Sequence, residues 1–102
     1  MALTILYSPL FLDSLQSILE YYDERNGNSH YSRKLLALFQ RQIGLLSQMP
    51  DIGRKTNFPQ IRVLFVDNYG IEYQKRNDSI LVINIYSCMT NPALRGFVKD
   101  NE

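Results

Sequence analysis

Between Ile61 and Asn91 the apolar positions follow the two-residue period of β-strands. Apolar residues alternate at Ile61, Val63 and Phe65, recur at Ile71 and Tyr73, and become almost continuous from Ile80 to Tyr86. Asp67-Asn68-Tyr69-Gly70 and Arg76-Asn77-Asp78-Ser79 separate these runs with turn-forming residues, so the stretch predicts a three-strand meander. Upstream the period becomes helical. Phe11, Leu15, Ile18 and Tyr22 share one stripe, widened by Leu12 and Leu19, in a helix that Ser8-Pro9 starts and that runs to about Arg25. Asn26-Gly27-Asn28 breaks it. A second helix is expected from about Ser29 to Gln48, facing inward with Tyr31, Leu35, Leu38, Gln42, Leu45 and Met49, flanked by Phe39, Ile43 and Leu46. Met49-Pro50 closes it, because the residue before proline avoids the helical region.

Ala2 to Tyr7 is a short β-leaning run that predicts a first strand at a sheet edge, with no partner assigned by the pattern. Two helices joined by so short a turn must lie antiparallel. The predicted fold is therefore α+β, in the order β-α-α-β-β-β, with a helical hairpin packed on one face of a small, mainly antiparallel four-stranded sheet. Asp51 to Gln60 is expected as a polar connection. Gly44 inside the second helix costs roughly 1 kcal/mol relative to alanine; close approach of the helix backbones and an accident of sequence explain it equally well.

Pairing Val66 with Gly70 across a three-residue loop places Ile61, Val63, Phe65, Ile71 and Tyr73 on the helix side. Arg62, Leu64, Val66, Glu72 and Gln74 then share the outer face. The last strand is apolar on both sides, so apolar surface is left away from the helices. Either the segment after Pro92 or a second protein's strand or helix is expected to cover it.

A chain of 102 residues, 45% hydrophobic, accommodates one domain and one modest core, with residues 93–102 as a tail. Its formal charge of +1 hides an uneven distribution. The chain is acidic up to Tyr31 and basic from Ser32 to Arg76, so the middle presents a basic surface. The single cysteine, Cys88, excludes an internal disulfide and suits a reducing compartment. The run Leu3 to Tyr7 is too short for a signal-peptide core or a membrane span, so a cytoplasmic protein is expected. His30 is the only histidine and has no ligand-type neighbour at metal spacing; no metal or cofactor site is expected.

Several pieces, in order, carry a family likeness: the opening strand with Ser8-Pro9, Leu12, Leu15 and Ile18; Met49-Pro50-Asp51-Ile52-Gly53-Arg54; Ile61-Arg62-Val63-Leu64; Tyr69-Gly70-Ile71-Glu72-Tyr73; Ile80, Ile83, Ile85 and Asn91-Pro92. The chain resembles the RelE/ParE superfamily of toxins from type II toxin-antitoxin modules, particularly the plasmid-stabilisation branch. The resemblance implies a growth-inhibiting toxin neutralised by a small cognate antitoxin. Relatives of RelE cleave messenger RNA on the ribosome without a metal, through attack of the ribose 2'-hydroxyl on the adjacent phosphate, which needs a base, an acid and cations. Relatives of ParE poison DNA gyrase instead.

Carried over by position, the ribonuclease set is thin. An arginine expected just before Ile-x-Tyr falls on Gly70, another falls at Met89 and Thr90, and the C-terminal tyrosine or histidine has no counterpart. Arg54, Lys55, Arg62 and Tyr86 remain as candidate catalytic or phosphate-contacting residues, and Arg62, Leu64, Glu72, Gln74 and Phe97 as candidate partner-binding residues. Two readings follow: a toxin that binds a gyrase-type or ribosome/mRNA-type target, as a metal-independent endoribonuclease in the latter case, or a non-toxic decayed toxin fold that binds only its antitoxin.

Overall fold

The computed structural model describes residues 2–88. Five strands and two helices follow in the order β1 (Thr4–Tyr7), α1 (Pro9–Asn26), α2 (His30–Leu45), β2 (Arg54–Lys55), β3 (Ile61–Val66), β4 (Tyr69–Lys75) and β5 (Ser79–Ser87). The strands form one sheet in the spatial order β1-β5-β4-β3-β2. Neighbours are antiparallel except β1 and β5, which run parallel. The hairpin α1-α2 carries the chain from β1 back to the sheet, as a parallel pairing requires.

The four-stranded expectation is thus corrected to five strands in a mixed sheet. The extra strand, Arg54–Lys55, lies inside the stretch expected as a connection and pairs with Arg62 and Val63. It consists of two exposed charged residues, so no alternation marks it.

Helix α1 forms where its local signals place it. The Ser8 hydroxyl accepts from the Phe11 N–H at 3.0 Å, Pro9 takes the first turn, and Gly27 stops the helix at φ 71°, donating to the Asp23 carbonyl. Helix α2 ends at Leu45, earlier than the expected Gln48, and three turn residues follow. Its buried face is also rotated from the expected one. Leu35, Phe39 and Ile43, with Leu46 just beyond the helix, enter the core, whereas Tyr31, Leu45 and Met49 are exposed. Gly44 is exposed, and a Cβ built on it would meet nothing within 4 Å, so close helix approach does not account for it.

The β3-β4 turn holds two residues, not three. Val66 pairs with Tyr69 and Leu64 with Ile71, and Asp67 closes the turn at φ 55°, a conformation that a short polar side chain tolerates. This one-residue shift exchanges the faces of β3. Leu64 and Val66 join Tyr69, Ile71 and Tyr73 in the core beneath the helices, while Val63 and Phe65 share the other face with Gly70 and Glu72. In β5 an extra residue, Ile83, stands between Val82, opposite Tyr73, and Asn84, opposite Glu72. That bulge brings Asn84 and the Ile83 carbonyl within reach of α1, where they accept from the hydroxyls of Ser14 and Ser8.

The core is one cluster centred on Phe11, Phe39, Tyr69, Ile71, Tyr73 and Val82. Phe97, residues 93–102 and the positions Met89 and Thr90 lie outside the described residues.

Candidate binding surface

The edge of the sheet at β2 is held by a buried tyrosine. Tyr73 is fully buried on the core face of β4, and its hydroxyl reaches the loop before β2. There it accepts from the Gly53 N–H at 2.8 Å and donates to the Pro50 carbonyl at 2.7 Å. Gly53 has to be glycine, since a Cβ would stand 2.6 Å from the tyrosine Cε1. Burial pushes the Tyr73 hydroxyl above its ordinary value, with the Gly53 N–H and the Arg62 charge acting in the opposite direction. It therefore stays protonated and can donate.

Arg62 completes the clamp. Its guanidinium donates to the Gly53 carbonyl at 2.9 Å and the Asp51 carbonyl at 3.2 Å, and stands 3.7 Å from the Asp51 carboxylate. Arg62 thus holds the loop that delivers Arg54 and Lys55, both exposed, to the sheet edge. Thr56 then turns the chain, its hydroxyl shared between the carbonyls of Phe58 and Ile61.

On the outer face the ring of Tyr86 covers Gly70, its cross-strand partner. A Cβ on Gly70 would stand 2.6 Å from Tyr86 Cζ and 2.7 Å from its hydroxyl oxygen. Glu72 lies next to this pair, between Val63 and Asn84, and burial raises its carboxyl above the ordinary value of 4.5. Gln74 is bonded to Gln60 at 3.0 Å.

The sequence-derived candidates thus separate into three places. Arg54 and Lys55 lie on the edge strand, Arg62 is beneath it in the loop clamp, and Tyr86 lies with Glu72 on the outer face. Leu64 is 8% exposed and faces the helices, so its placement on the outer face is corrected. Tyr73 and Gly53 were not among the candidates, although their geometry supports the whole rim. Glycine immediately before a basic pair was the only local signal.

At the hairpin tip, Tyr22 and Tyr69 share a hydroxyl contact at 3.0 Å, and the Tyr31 ring meets Tyr22 edge-on at 4.7 Å. Burial first, and then the bond to Tyr22, raises the Tyr69 hydroxyl well above its ordinary range. This cluster ties α1, α2 and β4 together.

Two antiparallel helices on one face of a mixed sheet, with basic side chains on a short edge strand, define a small α+β protein with a basic rim at one sheet edge. The family model for the ParE toxin of the type II toxin-antitoxin system parDE matches residues 5–92, and the chain belongs to this family. Among solved structures it is similar to the chromosomal ParDE toxin-antitoxin system from P. aeruginosa. The TM-score is 0.72 at 16% identity, covering 84% of this chain and 96% of that one, a likeness of fold. No curated protein sequence matches it. Among the described residues no helix is long and apolar enough to cross a membrane.

Proposed function

We propose that this ParE-family toxin inhibits growth by binding a gyrase-type protein target in the cytoplasm, without cleaving RNA, and that a cognate antitoxin neutralises it. The observation that carries this reading is the closure of Gly70 by Tyr86. Gly70 is the position at which the ribonuclease relatives are expected to place a phosphate-holding arginine, and here a tyrosine ring fills the space above it. Arg62, a second candidate cation, is engaged with backbone carbonyls. Loss of both cations from the reacting phosphate would forfeit most of the electrostatic stabilisation that metal-free cleavage needs. The resemblance to plasmid-stabilisation proteins fits the same reading.

On this reading Arg54 and Lys55 at the sheet edge contact the target, and Glu72, Gln74 and Phe97 contribute to antitoxin contact. Purified protein added to a gyrase supercoiling assay and to a cell-free translation reaction separates the targets. Inhibition of supercoiling with intact message is the expected result. Message cleavage, or normal growth of bacteria expressing the chain without an antitoxin, would overturn it.

A further inference from the structure

The outer surface of the helical hairpin is electrically divided. Helix α1 presents Asp13 and Glu20 directly away from the core, and α2 presents Lys34 and Arg41 in the same way; all four are exposed. Helix α2 contains no acidic residue at all. Within each pair the residues are seven apart, about 10.5 Å along a helix. The hydrogen bond from Ser32 to Asp23 and the edge-on contact of Tyr31 with Tyr22 fix the register of the antiparallel helices. Counting outward from those contacts puts Glu20 level with Lys34 and Asp13 level with Arg41. Among the described residues none of the four has an opposite charge within 4 Å.

Between the two charged rows runs an apolar groove of about 170 Å³, lined by Tyr7, Leu12, Leu15, Leu36, Phe39 and Gln40. Leu12 on its rim is 51% exposed. On the α2 side Ala37 and the otherwise unexplained Gly44 keep the surface low, so that a neighbouring helix can come close.

We infer that the hairpin face is an interface with a second copy of this chain, formed about a two-fold axis parallel to the helices. That axis lays α1 of each copy over α2 of the other. Because levels along the helices are preserved, Asp13 meets Arg41 and Glu20 meets Lys34, each contact occurring twice, over an apolar centre around Leu12. A two-fold axis at right angles to the helices would instead set each acidic row against its own copy, so charge selects the first arrangement. A duplex nucleic acid is a poorer occupant, since the acidic row of α1 lies alongside the basic row of α2. This inference is independent of the toxin's target and uses neither the sheet edge nor its outer face.

Sedimentation velocity on the full chain, from about 1 µM to about 1 mM, where an interface of this modest size associates, gives the test. Concentration-dependent dimerisation that weakens with added salt is expected. Asp13→Arg alone and Arg41→Asp alone each replace two attractions with two repulsions and should weaken the dimer about tenfold or more. Mixing these two variants should restore association as a heterodimer, because both contacts are then attractive again. Asp13 and Arg41 are exposed and have no opposite charge within 4 Å, so circular dichroism should report an unchanged fold. A chain that stays monomeric throughout, or a mixture no better associated than the single variants, overturns the inference. So does a dimer indifferent to both reversals and to Leu12→Asp.

Discussion

The ring of Tyr86 lies over the backbone of Gly70, so close that a single added carbon at Gly70 would stand 2.6 Å from it. Gly70→Ala is accordingly expected to destabilise the protein by about 1–3 kcal/mol, the usual cost of forcing an extra carbon into a packed site. Urea denaturation of Gly70→Ala, and of Gly70→Ala combined with Tyr86→Ala, checks this. The two losses should fall short of additive, because removing the ring removes the clash.

Tyr73→Phe deletes one hydroxyl that serves two backbone groups, the Gly53 N–H and the Pro50 carbonyl. Leaving buried groups unpaired costs about 1–3 kcal/mol, so a clear fall in thermal stability is expected. Amide hydrogen exchange at Gly53 should accelerate by more than at core strand positions. A uniform change across the chain would argue against a local clamp.

Glu72 makes stability depend on pH in a defined direction. Its folded-state carboxyl is raised above the ordinary 4.5 by burial, so the contribution from its protonated form is complete below that value and is lost as pH rises through the folded value. Glu72→Gln should therefore be more stable than the parent at neutral pH, with the advantage shrinking towards pH 4. Paired urea titrations across that range measure it.

Gly44→Ala should stabilise the protein by about 0.5–1 kcal/mol, since the site is exposed, helical and open to a side chain. Thermal denaturation in dilute solution gives the figure for the single chain.

What the sequence made legible was whatever depends on local chemistry. Ser8 and Gly27 bound α1 because caps act within one turn. The inward face of α2 is ambiguous in the sequence because Tyr31, Leu38 and Leu45 form an apolar stripe beside Phe39 and Ile43; Leu35 enters the core as expected, but periodicity cannot choose between the flanks. The β3 register is ambiguous for a similar reason: Val63 and Phe65 are as apolar as Leu64 and Val66, so the pattern leaves the turn length open by one residue. At the binding surface the residue types were readable, but their duties were not. Arg62 bonds carbonyls nine and eleven positions upstream, and no composition signals a cation committed to backbone.

The parallel pairing of β1 with β5 also governs when this protein can exist as a folded object. Ser8 donates to the Ile83 carbonyl across 75 positions, and the Ser8 N–H to that of Val82. On the ribosome, the first strand and the capped start of α1 must wait for nearly the whole chain to be made before they find their partners. A message truncated before Ser79 would encode both helices and four strands, but not the strand joining β1 to β4. Unfinished copies of this toxin should therefore emerge without its fold.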